Sequence, residues 1–304
     1  MSSAGGRRAV VAALAANLGI ALAKFIAFAV TGSGSMLAEG AHSLADSGNQ
    51  GLLLFGARRA ARAPDQQHPF GHGMARYFWA FVVALVLFAL GSLFALYEGL
   101  EKLHHPHEVD SAGIALGVLA LAIVLESFSL RTATREARPL KQGDSWAAFI
   151  RHTKSPELAV VLLEDAAALV GLVFAALGVT LTLLTGDAGW DAVGTLAISA
   201  LLAAVAVVLA IEMQSLLVGE GASPAQVAMI ADALCDGADV TRVIHLRTLH
   251  LGPDELLVAA KVELGRVGSA AAVARAIDAA EQRLRAAVPI ARVVYLEPDV
   301  YVAR

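Results

Sequence analysis

Cysteine is almost missing from this chain. Cys235 is the only one in 304 residues, which excludes an intrachain disulfide and any CxxC metal or redox pair. Charge is scarce too, at 16% Asp, Glu, Lys and Arg against 57% hydrophobic residues. A soluble domain carries about a quarter charged residues, so this composition, with a mean hydropathy of +0.65, belongs to a bilayer. The net charge of −4 is too small to point to nucleic acid or to a strongly charged partner. No HExxH stretch occurs, so a membrane metalloenzyme would lack its ligand pair and general base. A cleaved leader is not expected either: "MSSAGGRR" runs straight into a long apolar stretch, which reads as an uncleaved first span.

What is present divides in two. Long apolar runs continue to Leu217, and ordinary mixed charge follows. Residues 1–217 are therefore expected in the membrane and residues 218–304 outside it. A transmembrane helix needs ~20 mostly apolar residues. Six segments meet this: Arg8 to Thr31, Ser35 to Ala61, Ala75 to Leu103, Asp110 to Leu130, Pro156 to Leu184 and Asp191 to Leu217. Arginine and lysine fall at the N-terminus (Arg7, Arg8), in the second link (Arg58, Arg59, Arg62, Arg76) and in the fourth (Arg131 to Lys154). The other links carry only Lys102, so both termini are expected in the cytoplasm. Short loops fit a bacterial-type inner membrane.

Beyond "GEGASP" the period changes. Ser223-Pro224 is an N-cap with proline at the first helical position, opening a helix to about Asp236. "VTRVIHLRTLHLG" and "ELLVAAKVEL" alternate like strands joined through "GPD", a helix from Ser269 to Val288 follows, and "ARVVYLEPDVY" reads as a last strand. The order αββαβ predicts a small α+β domain.

Polar residues within the spans are costly and are functional candidates by default. His42 and Asp46 are four apart, on one helix face, and Asn49 continues that face. An imidazole and a carboxylate one turn apart offer two ligands to one cation. Glu164 and Asp165 stand side by side in the fifth span; Glu164 points about 100° away from its neighbour. Glu39 reads as interhelical glue, and Lys24 is a candidate partner for a carboxylate. Glu126, in the fourth span, is a candidate pairing or proton-relay residue. In the second link, Asp65, His68 and His72 form a DxxHxxxH cluster around Pro69 and Gly71. Histidine with carboxylate suits zinc and similar first-row ions.

These residues resemble the cation diffusion facilitator family: HSLAD on the second span, HPFGHG before the third, six spans and an αββαβ tail. The resemblance implies six transmembrane helices with a cytoplasmic ferredoxin-like domain for regulation and dimerisation. It implies a homodimer in the lipid bilayer that exports a divalent cation by alternating access in exchange for protons, with no organic cofactor. Zinc is the first expectation, with manganese, iron or cobalt as alternatives. By position, His42, Asp46 and Asp165 match the transport site, Asp65, His68 and His72 a linker metal site, and His245 a tail ligand of some members. The sequence departs from the common pattern at Val161, where many members place a histidine, so Glu164, Asn49 or water would supply a fourth ligand. Tyr295 stands where some members have a ligating histidine, so a binuclear tail site is not expected, and His250 reads as exposed. A non-transporting metal sensor or scaffold is the rival class.

Overall fold

The structure is a computed structural model and describes residues 2–31, 34–105, 112–141, 143–237, 239–265 and 268–302. Its helices are α1 (Ser2–Thr31), α2 (Gly34–Ala60), α3 (Ala75–His104), α4 (Ala112–Lys141), α5 (Trp146–His152), α6 (Pro156–Thr185) and α7 (Gly189–Val218). The chain separates into two compact units, Met1–Arg59 with Ala75–Gln214, and Ala60–Met74 with Ser215–Arg304. The linker before α3 thus belongs with the C-terminal unit, an association that no local sequence pattern records.

Five of the described helices are long and apolar enough to cross a membrane: those over Gly6–Val30, Ala75–His104, Leu116–Lys141, Pro156–Thr185 and Gly189–Val218. The expected sixth, α2, has 27 residues, about 40 Å at 1.5 Å per residue. Length is sufficient; composition is not, because Asp46, Ser47, Asn49 and Gln50 interrupt its apolar run. The fourth span also runs further than the apolar pattern, ending at Lys141 rather than Leu130. Ala133 and Ala137, four apart and fully buried, give that extension a packing face, while Arg8 and Glu136 pair across it at 3.6 Å. Part of the expected polar link is helical as well, as α5, capped by Ser145.

In the first unit α1 packs along α4, and α6 lies against both. Alanine lines much of this contact: Ala9, Ala13, Ala122, Ala133 and Ala137 are all at most 1% exposed, as close helix approach in lipid requires. Helix α3 carries a π-helical turn at Val83–Phe88 and is tied to α7 by Ser92 and Ser199, each hydroxyl donating to the other's carbonyl at 3.0 and 2.9 Å.

The second unit has α8 (Pro224–Cys235), β1 (Val240–Gly252), β2 (Glu255–Leu264), α9 (Ala270–Ala287) and β3 (Ala291–Asp299), the αββαβ order expected. Strand β2 is central, antiparallel to β1 and parallel to β3. Its alternate residues Leu256, Val258, Ala260 and Val262 are buried with Ile230, Leu234 and Leu284 from the helices, the period-2 pattern of a sheet covered on one face. Ser223 and Gln226 close a capping box on α8. His250 departs from expectation, being 1% exposed. The end of β1 is covered: Ala222 donates its amide to Thr248 Oγ1 at 2.9 Å, and His250 donates its own to the Glu220 carbonyl at 2.9 Å. Gly73 of the linker lies so close to Leu251 and Gly252 that a Cβ there would collide with backbone.

Leu256→Ala would empty a site in this core and is expected to cost about 2–5 kcal/mol. In full-length protein, the β1 and β2 amides should exchange with deuterium faster than in wild type; unchanged exchange would mean the core does not depend on Leu256.

Candidate metal centre

Helices α1, α2, α4, α6 and α7 and the second half of α3 surround a cavity of about 320 Å³. Asp46 and Asn49 of α2, Glu126 of α4, and Glu164 and Asp165 of α6 all line it, with Lys24 of α1. Asp165 is 2% exposed and accepts a hydrogen bond at 2.7 Å from Ser129 Oγ on α4. Asn49 Nδ2 donates to Glu164 Oε1 at 2.9 Å, joining α2 to α6 across 115 residues of sequence. The remaining oxygens of that pair, Asn49 Oδ1 and Glu164 Oε2, are buried without a hydrogen-bond partner among the described residues. Oxygen atoms in that condition are costly, and a bound cation would satisfy them. Lys24 does not consume the site's acceptors alone, since its ammonium donates to Ser43 Oγ at 2.9 Å. The side chains of His42 and Glu39 lie outside the described residues.

The cavity runs toward the end of α3 and the start of α7. There Lys102 Nζ sits 3.1 Å from Glu98, 3.0 Å from Asp191 and 3.3 Å from Thr195 Oγ1. All three charged side chains are partly exposed, so this is a wet mouth. The opposite end of the bundle is dry. Leu158, Ala159, Val160 and Val161 of α6 are fully buried, as are Tyr77, Ala80 and Val83 of α3. Beyond them lies a buried ion pair, Arg76 Nε to Glu157 Oε1 at 2.5 Å and Nη2 to Oε2 at 2.8 Å, with side chains 9% and 4% exposed. Such bidentate geometry is the strong form of a charge-assisted bond. Glu157 also occupies the first turn of α6, next to Pro156, where the helix dipole favours an anion.

The second unit holds the linker cluster. Asp65, His68 and His72 bring one ligand atom each within 4.8 Å of one another. Asp65 Oδ1 accepts the amides of Gln67 at 2.9 Å and His68 at 2.7 Å, an Asx-type turn. Gly71, at φ 84°, turns the chain back, its amide donating to the His68 carbonyl at 2.9 Å. The rings of His68 and His72 then lie 4.3 Å apart, and His72 Nε2 is 3.5 Å from Asp65 Oδ2. His72 Nδ1 is buried with no hydrogen-bond partner among the described residues. Two imidazoles and a carboxylate, with one ring nitrogen unsatisfied, fit a first-row divalent ion. His245 is not gathered with them. It is exposed on β1, accepts a bond from Arg247 Nε at 3.0 Å and faces Lys261 in register. Two bonded carboxylates, Glu297 and Asp299, raise the Lys261 pKa above its ordinary value.

Comparison with known proteins adds to this geometry. The profile of the cation efflux transmembrane domain matches residues 10–218, over half of the chain. The chain is 35% identical over 247 residues to the mitochondrial proton-coupled zinc antiporter SLC30A9 of Xenopus laevis, covering 80% of this chain and 44% of that protein. It is 27% identical over 259 residues to metal tolerance protein C4 of Arabidopsis thaliana, covering 84% and 57%. With the cation-efflux pump FieF of Klebsiella pneumoniae it shares 32% over 149 residues, 49% of each. The chain belongs to the cation diffusion facilitator family. It is an integral membrane protein of a transporter family, not of an enzyme family. It spans less than half the length of the SLC30A9 proteins it matches.

For a member of a cation efflux family, the sequence reading overlooked one residue that the fold makes prominent. Arg76 counts in the sequence as a topology signal, yet it is buried and paired. Its only sequence cue is a charge directly ahead of an apolar run. Removing one partner strands the other charge, so Arg76→Ala or Glu157→Ala is expected to cost about 3–5 kcal/mol. The thermal midpoint in detergent should fall for each and largely return in Arg76→Met with Glu157→Leu. Single substitutions with wild-type midpoints would show the pair to be solvated.

The linker turn should have its own pH signature. The backbone amide of His68 chiefly, and that of Gln67, hold the Asp65 carboxyl below its ordinary value of 3.8. A depressed pKa stabilises the turn fully above the ordinary value and is lost as pH falls through the lowered one. Exchange at the Gln67 and His68 amides, corrected for intrinsic rates, should therefore stay slow down through 3.8 and quicken below it. Asp65→Asn should abolish that acid step.

Proposed function

We propose that this protein moves a divalent metal cation, zinc first, out of the cytoplasm in exchange for protons. The observation that carries the reading is the meeting of Asp46 with Glu164 and Asp165 around one cavity inside apolar helices. Helix α2 is then the sixth span, and its polar residues cross the bilayer facing that cavity. His42, one turn before Asp46, supplies the nitrogen ligand. Asp46 and Asp165 supply charged oxygens, and Asn49 and Glu164 complete the set. Residues 1–217 form the transport domain and 218–304 a cytoplasmic domain that regulates and pairs two copies, in a bacterial-type inner membrane.

The cycle follows from ligand chemistry. Carboxylate and imidazole bind metal only after losing their protons, so loading the ion releases protons and protonation releases the ion. His42 suits this exchange because an ordinary imidazole titrates near pH ~6.5. The dry packing around Leu158, Val161 and the Arg76–Glu157 pair, opposite the wet mouth at Lys102, corresponds to a state open to the outside. Loading from the cytoplasm requires that packing to part. Similarity to SLC30A9, a mitochondrial proton-coupled zinc antiporter, supports the same exchange. An oxygen-rich donor set, with Val161 in place of a second histidine, leaves manganese or iron as alternative cargo.

Asp65, His68 and His72 are proposed as a second, regulatory metal site in the linker. His245 is left out of it because Arg247 and Lys261 flank the ring. A sensor or scaffold that moves nothing has no need for carboxylates buried on two separate spans.

Purified protein in liposomes, with and without a pH gradient, tests the proposal. Zinc flux should require the gradient and should fall to the level of empty liposomes in Asp46→Ala and Asp165→Ala. Wild-type flux in a correctly inserted Asp165→Ala protein would refute the site.

A further inference from the structure

One buried carboxylate at the cavity has no role in the exchange as described. Glu126 of α4 is 5% exposed and lines the same cavity as Asp46 and Asp165. Among the described residues it has neither a hydrogen-bond partner nor an ion pair. The charges that act on it are those of Asp165, Asp46 and, with opposite sign, Lys24. A carboxylate that faces the cavity with no protein partner is left to water, a proton or a cation.

Its position along α4 says what that ligand is. Glu126 lies three residues before Ser129, whose hydroxyl holds Asp165, so the two side chains share a face one turn apart. In the other direction the same face continues through Ala122, Leu119 and Val118, which line the cavity on its way to the mouth at Lys102. Those three are apolar. An ion leaving Asp165 toward the mouth therefore meets Glu126 as the last carboxylate on α4 before an apolar wall.

Resting on the transport reading, we propose that Glu126 is a further cation ligand, standing on the exit side of the Asp46–Asp165 centre and helping to set its choice of metal. A third helix then contributes to coordination. The extra hard oxygen raises the affinity for the divalent ion and shifts preference toward oxygen-favouring ions such as manganese. The competing explanation is electrostatic housekeeping: Glu126 would merely balance the partly buried ammonium of Lys24.

Equilibrium zinc and manganese binding to purified full-length protein in detergent separates these, using a His68→Ala/His72→Ala background to silence the linker. Glu126→Gln is expected to weaken zinc binding at least about tenfold and to lower the manganese-to-zinc affinity ratio. Glu126→Gln with Lys24→Met should stay weak. Wild-type affinity in Glu126→Gln overturns the proposal, and so does full recovery in the double variant, which would assign Glu126 to Lys24. If Glu126→Gln does not fold, Glu126→Asp keeps the charge while shortening its reach, and an unchanged affinity and ratio there is equally fatal. These outcomes are distinct from failure of the transport reading, in which the background protein itself would bind no zinc in an Asp165-dependent way.

Discussion

Desolvated carboxylates at the centre of an apolar helix bundle are the constraint from which the rest of this molecule follows. Asp46, Glu126, Glu164 and Asp165 line one cavity together with the ammonium groups of Lys24 and, at its mouth, Lys102. Removing a carboxylate from water costs several kcal/mol even after relaxation. Neighbouring hydrogen bonds recover part of this, from Ser129 to Asp165 and from Asn49 to Glu164. They leave acceptor oxygens over, Asn49 Oδ1 and Glu164 Oε2, buried without a partner among the described residues. A dication or protons could neutralise the same groups, and the proposed exchange of one for the other would use that competition.

The bundle is built around that cost. Alanine along α1 and α4 lets helices approach closely enough to hold the polar groups apart from lipid. The charged residues at the two ends differ in kind. Lys102, Glu98 and Asp191 are partly wet and individually weak. Arg76 and Glu157 are buried and bidentate, behind a layer of fully buried side chains. One end of the cavity is therefore easily hydrated and the other sealed, an asymmetry that a transporter must be able to reverse.

In the second unit the same economy of packing applies to a soluble domain. An alternating strand, β2, carries its core, and the linker closes over the end of β1 at Gly73. The Asp65–His68–His72 cluster lies within the C-terminal unit.

Much of this was legible in sequence, and the limits are instructive. Apolar runs located the helices because burying a backbone in lipid demands a continuous helix of set length, and alternation located the strands because one face of a sheet must be dry. The same reasoning marked Asp46, Glu164 and Asp165, since an ion in an apolar run is conspicuous. It stopped α4 at Leu130, because the helix continues to Lys141 on alanines that carry no period of their own. Sequence also determined that the DxxHxxxH turn can gather three ligands locally, through the Asx turn and the positive φ of Gly71. Only tertiary structure decided which distant groups share a site. Asn49 meets Glu164, Arg76 meets Glu157, and Glu126 lines the same cavity as Asp165 because separate helices pack in one order. That order is set by side-chain fit between helices, and no local pattern records it.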